Sequence, residues 1–376
     1  MATGSRRLRV LVVAESFLPK VDGVSNSVVR VLERLERDGH DVVVVAAAPG
    51  PASWGRFPVV RVGSAGLPGY PDVRLAIGRR AISRALAEFR PDVAHVASPA
   101  VLGAVALREC RRAGVPAVAV FQTDLGGFAR GYGLSAVANF VDGYVARVHG
   151  LASLTLVPSS SSVAKLAKRG VTNLRLWPRG VDAALFDPAR RSSRLREAFG
   201  APERTVVGYV GRLAREKAVE RLVPVARDPR VSLVIVGAGP CEDELRAALP
   251  DAQFVGFKSG VELAEVVASL DVFVHTGIHE TFCQAVQEAL CAGVPVVAPR
   301  AGGPVDLVDH GVNGLLWDPR IDGSLEAAVR SVVDDPGLRT RFAAAARDSV
   351  AHRSWESVTD ALLGAYELAM TESVGA

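Results

Sequence analysis

Residues 271–298 read DVFVHTGIHETFCQAVQEALCAGVPVVA. An apolar strand over residues 271–274 leads into a polar loop and a helical stretch, and a second apolar strand follows at residues 295–298. Strands without polar alternation are typical of a parallel sheet that is covered on both faces. The stretch therefore predicts a strand–helix–strand unit of an α/β domain.

Apolar runs of the same kind recur along the whole chain. They lie at residues 8–14, 41–47, 92–97, 117–121, 153–157, 205–210, 232–236 and 253–255. Helical stretches separate them, which predicts two Rossmann-like, doubly wound parallel-sheet domains that face each other across a cleft. We place the first domain at residues 1–182 and the second at residues 183–352. We expect residues 353–376 to form a C-terminal helix that crosses back to the first domain.

The composition is that of a globular protein, with 49% apolar and 22% charged residues in a chain of 376. No apolar run approaches the ~20 residues of a membrane span, and the polar residues 1–9 do not resemble a secretory leader. The four cysteines lack metal-ligand spacing and are typical of reduced thiols. With a net charge of only +4, we expect a cytoplasmic protein without a nucleic-acid partner.

Two glycine-containing loops are candidates for binding a phosphate. Gly237 and Gly239 follow the run at 232–236, where glycines let the backbone approach a phosphate. Glu242 stands where the dinucleotide fingerprint has its third glycine, so a purely structural turn is an equal alternative. Arg212 and Lys217 follow the run at 205–210 in a loop that we expect to open a helix. Two cations there suit a diphosphate, although a solvated basic loop fits the spacing equally well.

Glu280 and Glu288 are eight residues apart, immediately before and within the helical stretch. At ~100° per residue they would lie about 80° apart around a helix and about 12 Å apart in rise, so they are not an acid–base pair. They suit two separate acceptors of hydrogen bonds, while the amides of Thr281, Phe282 and Cys283 would form a helix N-terminus open to an anion. Alternatively, Glu280 caps the helix and Glu288 is a surface residue.

Several motifs resemble those of the retaining glycosyltransferases of family 4, which have the GT-B fold. The motifs match in order over nearly the whole chain. They are E-x7-E at 280–288, G-R-x4-K at 211–217, V-G-x-G-P at 236–240, A-x-G-x-P-V at 292–297, G-G-x at 302–304, G-x-x-G-L-L at 311–316 and the glycine loop around Gly23.

The resemblance implies a role for each matching residue on the donor side. Arg212 and Lys217 would neutralise the diphosphate leaving group. Glu280 would hold the transferred hexose, and Glu288 would accept hydrogen bonds from the ribose. Further donor contacts would come from Gly23, Gly237 and the amides of Thr281, Phe282 and Cys283.

The acceptor side departs from the family pattern. Where many members have a histidine, this chain has Gln122, which has no proton to exchange near neutral pH but can still hydrogen-bond the sugar. Asp124 then becomes the polar group expected to face the acceptor and a candidate catalytic residue. Arg179 replaces an asparagine that is frequent in the family and adds a candidate phosphate contact. His279, next to Glu280, either lines the sugar pocket or is structural.

The subgroup resemblance implies mannose transfer from GDP-mannose to a lipid-linked or glycolipid acceptor. UDP-glucose, UDP-sulfoquinovose and UDP-N-acetylglucosamine stay open as donors. A nicotinamide-dependent oxidoreductase and a silent sugar-nucleotide binder are the alternatives from other classes. The chain has no D-x-D motif, so we expect no metal and no cofactor beyond the nucleotide sugar; arginine, lysine and amides would stabilise the diphosphate.

A basic amphipathic pattern extends from Leu75 to Phe89, with Arg79, Arg80 and Arg84 among apolar positions. Such a helix can lie on an anionic membrane, which would place the protein at the inner face of the plasma membrane. The solvated face of an ordinary domain helix is the alternative.

Overall fold

The computed structural model describes residues 6–20, 22–67, 70–131 and 135–374. They form two compact units. The first comprises Met1–Gly126, Ala136–Pro178 and Glu356–Ala376, and the second comprises Gly127–Ser135 and Arg179–Trp355, in so far as these ranges are described. Each unit is built on its own sheet of mainly parallel strands, so the predicted α/β fold class is confirmed.

The first unit is organised around the strands at the N-terminal end of the chain. Its strands are β1 (Arg9–Ala14), β2 (Asp41–Ala47), β3 (Ser53–Trp54), β4 (Phe57–Val62), β5 (Ser64–Leu67), β6 (Tyr70–Ala76), β7 (Val93–Ala97), β8 (Ala117–Val120), β9 (Leu154–Val157) and β10 (Leu174–Leu176). The helices are α1 (Gly23–Arg37), α2 (Arg79–Phe89), α3 (Leu102–Ala113), α5 (Ser135–His149), α6 (Ser160–Ala167) and the C-terminal α14 (Trp355–Val374). A further helix, α4 (Leu125–Gly131), begins in this unit, and its residues from Gly127 onward are assigned to the second. Within the described ranges the sheet order is β10-β9-β8-β7-β1-β2-β4-β3, and β5 pairs with β6 as a hairpin.

The second unit repeats the plan with a shorter sheet. Its strands are β11 (Thr205–Val210), β12 (Val231–Val236), β13 (Gln253–Gly256), β14 (Val272–Val274), β15 (Val296–Pro299) and β16 (Gly314–Trp317). The helices are α7 (Ser193–Ala198), α8 (Val223–Ala226), α9 (Glu242–Ala248), α10 (Gly260–Ala268), α11 (Gln284–Cys291), α12 (Ser324–Asp334) and α13 (Pro336–Val350). The strands are parallel in the order β13-β12-β11-β14-β15-β16. The order reverses between β11 and β14, which is where open α/β sheets bind ligands.

Burial explains why the strands lack polar alternation. Every residue of β12 is buried, and so are all residues of β1 after Arg9. Helices cover both faces of such sheets, so a polar side chain would be desolvated on either face. The helix α14 packs in the first unit, where the Tyr366 hydroxyl is 2.9 Å from His95 Nδ1 of β7 and Trp177 Nε1 donates to the Val358 carbonyl.

The basic helix is shorter than its pattern predicts. The helix α2 begins at Arg79, because Leu75 and Ala76 belong to the strand β6, and the Leu75 side chain lies outside the described part of the chain. Its apolar residues Ile82, Ala85 and Leu86 are buried in the core of the first unit. The arginines remain on the surface. The helix α2 can therefore present positive charge to a membrane, but it has no exposed apolar face. In the described residues, no helix combines the length and apolarity that crossing a bilayer demands.

Candidate active site

The loops that follow β11 and β14 meet at the point where the strand order of the second unit reverses. The strands are hydrogen-bonded neighbours, with Val207 opposite Val272. Because parallel strands end at the same edge, the loop carrying Arg212 and Lys217 lies beside the loop carrying Glu280. The two loops therefore share the ligand edge of this sheet.

Glycines bring the backbones of two loops, the one after β11 and the one after β12, into direct contact. A Cβ on Gly237, where φ is +140°, would lie 1.9 Å from the Gly211 carbonyl oxygen, and one on Gly239 would lie 2.3 Å from that of Leu213. The Leu213 amide donates to the Ala238 carbonyl at 3.0 Å. Only glycine fits at these positions, so the loop after β12 is fixed against the one that carries Arg212. That loop does not open an α-helix as predicted, because Arg215–Lys217 form a single 3-10 turn.

Glu280 is the centre of a charged cluster. Its Oε1 atom contacts Lys217 Nζ in an ion pair and lies 3.0 Å from His275 Nε2. The side chains of this pair are largely shielded from solvent, since that of Glu280 is 15% exposed and that of Lys217 is 24% exposed. In the described part of the chain, no hydrogen bond or ion pair involves the second carboxylate oxygen, Oε2. Glu280 can therefore accept a ligand hydroxyl there without losing its protein partners.

The cluster keeps Glu280 ionised. Burial alone would raise the pKa of this carboxyl, but the charge of Lys217 and the hydrogen bond with His275 outweigh burial and hold the pKa well below its usual range. Burial would likewise lower the pKa of Lys217, yet the charge of Glu280 raises it. The pair is thus an ammonium–carboxylate couple, unsuited to exchanging protons near neutral pH.

The segment after Glu280 is an extended turn, and the helix begins later than the sequence suggests. The helix α11 starts at Gln284, after Cys283 adopts a left-handed backbone with φ of 83°. The amides of Thr281, Phe282 and Cys283 therefore precede the helix and do not form its N-terminus, because the positive φ interrupts the helical path. The contact of these amides with the donor remains a prediction.

A second pair of glycines supports this turn. The Gly303 amide donates to the Glu280 carbonyl at 2.8 Å. A Cβ on Gly302 would lie 2.5 Å from the Glu280 carbonyl oxygen, and one on Gly303 would lie 2.2 Å from that of Phe282. The G-G-x element therefore fixes the backbone of Glu280 by close contact that a side chain would prevent.

Glu288 lies one turn into α11, away from Glu280, and is partly buried. Burial raises its pKa to about 8, against a hydrogen bond with Gln284 and the charge of Arg179. Gln284 Nε2 donates to the Gly180 carbonyl and Gln287 Nε2 to the Arg179 carbonyl, each at 3.1 Å. Arg179, predicted for the acceptor or sugar pocket, lies at the start of the second unit, where its charge acts on Glu288. Its contact with an acceptor, sugar or phosphate remains a prediction.

Arg212 is exposed, whereas Lys217, Glu280 and Glu288 are partly buried. Its carbonyl accepts from the buried Tyr209 hydroxyl at 3.2 Å. No acidic side chain of the described residues pairs with its guanidinium. The group can therefore turn to an incoming diphosphate without breaking an ion pair.

In the first unit, Gly23 begins α1, and a carboxylate already occupies that helix end. Asp22 Oδ1 accepts from the amides of Val24 and Ser25, each at 2.9 Å, in a capping box with Ser25. The two amides are thereby satisfied. The predicted approach of Gly23 to a diphosphate remains a prediction.

The acceptor-side residues follow β8. Gln122 is 7% exposed, and its Nε2 donates to the Ser27 hydroxyl of α1 at 3.1 Å. Asp124 Oδ1 contacts Lys165 Nζ of α6 in an ion pair. Gln122 is thus hydrogen-bonded to α1, whereas Asp124 forms an ion pair with α6. Their predicted contacts with an acceptor remain untested.

His275 is the functional residue that the sequence reasoning missed. It follows β14 directly, stacks on Tyr209 with ring centroids 6.0 Å apart, and contacts Glu280. Its position at the end of a parallel strand could have singled it out. His279, which was proposed for the sugar pocket, is partly buried, and its assignment stays a prediction.

His275, Glu280 and Cys283 each offer a ligand-type atom, and these atoms lie within 4.8 Å of one another. Lys217 already supplies a positive charge to Glu280, and a metal ion would have to displace it. Burial and then the charge of Glu280 raise the pKa of Cys283 well above its usual range, whereas a metal needs the thiolate. The chemistry of the trio therefore disfavours a divalent cation.

Two family models match the chain. One is described as Glycosyltransferase Family 4 and matches residues 21–185, and the other is described as Glycosyl transferases group 1 and matches residues 192–349. The chain is 47% identical over 367 residues to a GDP-mannose-dependent alpha-mannosyltransferase of Mycobacterium tuberculosis, covering 96% of each. It is 33% identical over 369 residues to a sulfoquinovosyl transferase of Arabidopsis thaliana, covering 94% of this chain and 72% of the relative.

A solved structure shares the fold. The sucrose-phosphate synthase of Thermosynechococcus elongatus superposes with a TM-score of 0.81 at 20% identity, covering 97% of this chain and 100% of that one. This likeness concerns the architecture alone, whereas the two relatives extend it to sequence over nearly the full length. The glycosyltransferase interpretation is confirmed, and the chain belongs to the family 4 glycosyltransferases with the GT-B fold.

Proposed function

We propose that the protein is a retaining α-mannosyltransferase that moves mannose from GDP-mannose to a lipid-linked or glycolipid acceptor. The observation that carries the proposal is the Lys217–Glu280–His275 cluster at the ligand edge of the second sheet. It combines a cation for a diphosphate with a charged acceptor for sugar hydroxyls. The 47% identity to a mannosyltransferase named for GDP-mannose favours that donor.

In this proposal, Arg212 and Lys217 stabilise the negative charge that develops on the leaving diphosphate. Preorganised charges of this kind usually contribute the largest part of catalysis. Glu280 Oε2 accepts from the hexose, and Glu288 accepts from the ribose. Because Glu280 is already paired, it binds and orients the sugar and exchanges no proton. The acceptor proton goes to the donor phosphate, as the family resemblance implies.

A sugar-nucleotide panel tests the donor assignment. Thermal unfolding of the purified chain is measured with GDP-mannose, UDP-glucose, UDP-sulfoquinovose, UDP-N-acetylglucosamine, an ADP-sugar and NAD. A ligand that binds only the native state raises the melting temperature, and GDP-mannose is expected to give the largest increase. The 33% relative makes UDP-sulfoquinovose the second candidate, and a larger shift with it would replace the mannose assignment.

A transfer assay tests the reaction. The chain is incubated with GDP-mannose and n-octyl α-D-mannopyranoside or n-octyl β-D-glucopyranoside, and both GDP and glycosylated product are measured. We expect transfer to an octyl glycoside, with the α configuration retained, at the same rate in EDTA and in Mg²⁺. Binding of GDP-mannose without any transfer would contradict the proposed transferase activity and favour a non-catalytic sugar-nucleotide binder.

Glu288 gives the proposed donor site a pH dependence. With a pKa of about 8, it becomes a charged and stronger acceptor as the pH rises. We therefore expect the Kd of GDP-mannose, whose diphosphate has no proton to lose near neutral pH, to fall between about pH 6.5 and pH 9. Isothermal titration calorimetry measures this, and Glu288→Gln should flatten the profile. A profile of equal slope in the variant would remove Glu288 from the donor site.

Glu288 also affects the free energy of unfolding of the ligand-free protein, and this effect changes with pH in the opposite direction to donor affinity. Because the pKa of Glu288 is raised on folding, the native state binds more protons than the unfolded state between about pH 4.3 and pH 8. Its contribution to the free energy of unfolding is present below that window and is lost as the pH rises through it. Donor affinity and ligand-free stability should thus change in opposite directions.

Peripheral membrane contact through α2 is proposed in a purely electrostatic form. Arg84 pairs with Glu88 at 2.8 Å and Arg79 with Glu109 at 3.0 Å, and the apolar face is buried. Co-sedimentation with vesicles of phosphatidylglycerol is expected to be weak and to disappear in high salt. Binding that persists in high salt would require an apolar contact that α2 does not offer, and Arg80→Ala with Arg84→Ala tests the location.

A further inference from the structure

A cluster of four charged side chains lies behind the loop that follows β8. Asp142 of α5 has a side chain only 6% exposed, and its Oδ1 atom is 3.0 Å from Lys165 Nζ of α6. The same ammonium contacts Asp124 Oδ1, and Arg169 lies 3.5 Å from Asp142 Oδ2. Lys165 thus bridges two carboxylates, one in the core of the unit and one in the loop.

This arrangement fixes the loop tightly. A Cβ on Gly126, at the start of α4 directly after the loop, would lie 2.0 Å from Asp142 Oδ1, so the backbone that leaves the loop lies directly against that carboxylate. A buried carboxylate without a cation would be strongly destabilising. Asp142 therefore requires Lys165 or Arg169 nearby, and Lys165 in turn holds Asp124.

The neighbouring loop residues are attached to other elements. Gln122 is hydrogen-bonded to Ser27 of α1, and the Ser98 hydroxyl, after β7, donates to that of Thr123 at 3.0 Å. Three consecutive side chains are thus fixed by three different parts of the unit.

We propose that Lys165 is a positioning residue that holds the Asp124 carboxylate toward the acceptor hydroxyl, and that Asp142 positions Lys165. This inference rests on the proposed transfer reaction and adds to it the residues that determine the acceptor side. A carboxylate offers about four lone-pair sites, so one carboxylate can accept from an ammonium and from a ligand hydroxyl together. An ion cluster that serves stability alone is the competing outcome of the test.

The test distinguishes an effect on acceptor binding from an effect on donor binding. Initial rates are measured with the octyl glycoside that accepts transfer, and the Kd of the nucleotide sugar is measured by calorimetry. Lys165→Met is expected to raise the KM for the glycoside about tenfold or more, the usual effect of losing one charge-assisted contact, and to leave donor Kd within about twofold. Lys165→Arg, which keeps the charge, should recover most of the loss. The matched control is Lys168→Met, at the exposed end of the same helix.

A double-mutant cycle decides whether Lys165 acts through Asp124. Lys165→Met combined with Asp124→Asn should raise the glycoside KM no further than Asp124→Asn alone, because the two residues act as one unit. Additive effects would overturn the proposal, as would equal losses in donor Kd and glycoside KM, or a Lys165→Met variant that behaves like Lys168→Met. Should Lys165→Met fail to fold, Asp142→Asn and Lys165→Arg are scored by the same criteria.

Failure of the Lys165 proposal can be distinguished from failure of the proposed function. If the unaltered chain transfers nothing from GDP-mannose, the mannose assignment fails, and the kinetics are repeated with the nucleotide sugar that is turned over. If none is turned over, the cycle is measured by thermal unfolding. Additive changes in melting temperature would then contradict the coupling of Lys165 to Asp124.

Discussion

Glu280→Gln is expected to lower the rate of transfer by about 10²–10³-fold, the range typical for loss of one preorganised electrostatic contact, while nucleotide binding survives. The substitution keeps the shape of the side chain but removes its charge. The hexose hydroxyl and His275 then both meet a neutral amide in place of a charged carboxylate. Lys217, no longer paired with a carboxylate, stays free to bind the diphosphate.

The measurement is GDP release in the presence of the octyl glycoside, together with the Kd of GDP by calorimetry. The Kd should stay the same or decrease, because the Lys217 ammonium is no longer shared. Glu262→Gln is the matched control, since Glu262 lies on α10 in the same unit with its side chain 74% exposed. Normal turnover in Glu280→Gln would refute the assignment of this residue to the hexose.

Lys217→Met is expected to damage both catalysis and stability. The leaving diphosphate loses one of its two cations, and kcat/KM should fall by about 10²-fold or more. Glu280 is left shielded from solvent with only His275 as partner. Because breaking a fully buried pair costs about 3–5 kcal/mol and this pair is partly exposed, we expect a loss of about 2–3 kcal/mol in the free energy of unfolding.

Combining Lys217→Met with Glu280→Gln separates the two effects. The double variant removes the uncompensated charge, so stability should recover while transfer stays near background. Denaturation in urea measures the first and GDP release the second. Lys258→Met, which breaks a surface pair with Glu262, should change stability by less than about 0.5 kcal/mol. A Lys217→Met variant as stable as this control would mean that the ion pair contributes little to folding.

The parallel core of both units could be predicted from the sequence. Strands such as β2 and β11 coincide with their apolar runs to the residue, because burial on both faces leaves an uninterrupted pattern. The strand β4 was missed because Pro58 and its alternating burial resemble an edge strand or a loop. The start of α11 was placed too early because a left-handed Cys283 leaves no trace in composition. The extent of α2 was overestimated because Leu75 and Ala76 continue its apolar pattern by coincidence.

The candidate site was predictable in its residues but not in its contacts. The motif spacing brought Lys217 and Glu280 into consideration separately, and only the adjacency of β11 and β14 places them in an ion pair. His275 escaped notice because one histidine after a strand is a weak signal without its neighbours. The electrostatic effect of Arg179 on Glu288 could not be predicted either, because it depends on the hydrogen bond from Gln287 to the Arg179 carbonyl.

The glycine contacts around Glu280 bear on how such enzymes diverge. Gly237, Gly239, Gly302 and Gly303 let main chain meet main chain, so the frame of the site depends little on side-chain identity. Its chemistry is concentrated in a few charged groups mounted on that frame. Exchanging those groups can redirect the enzyme to another sugar while the frame persists, which is consistent with a shared architecture at only 20% identity. A scaffold of this kind is easy for evolution to reuse.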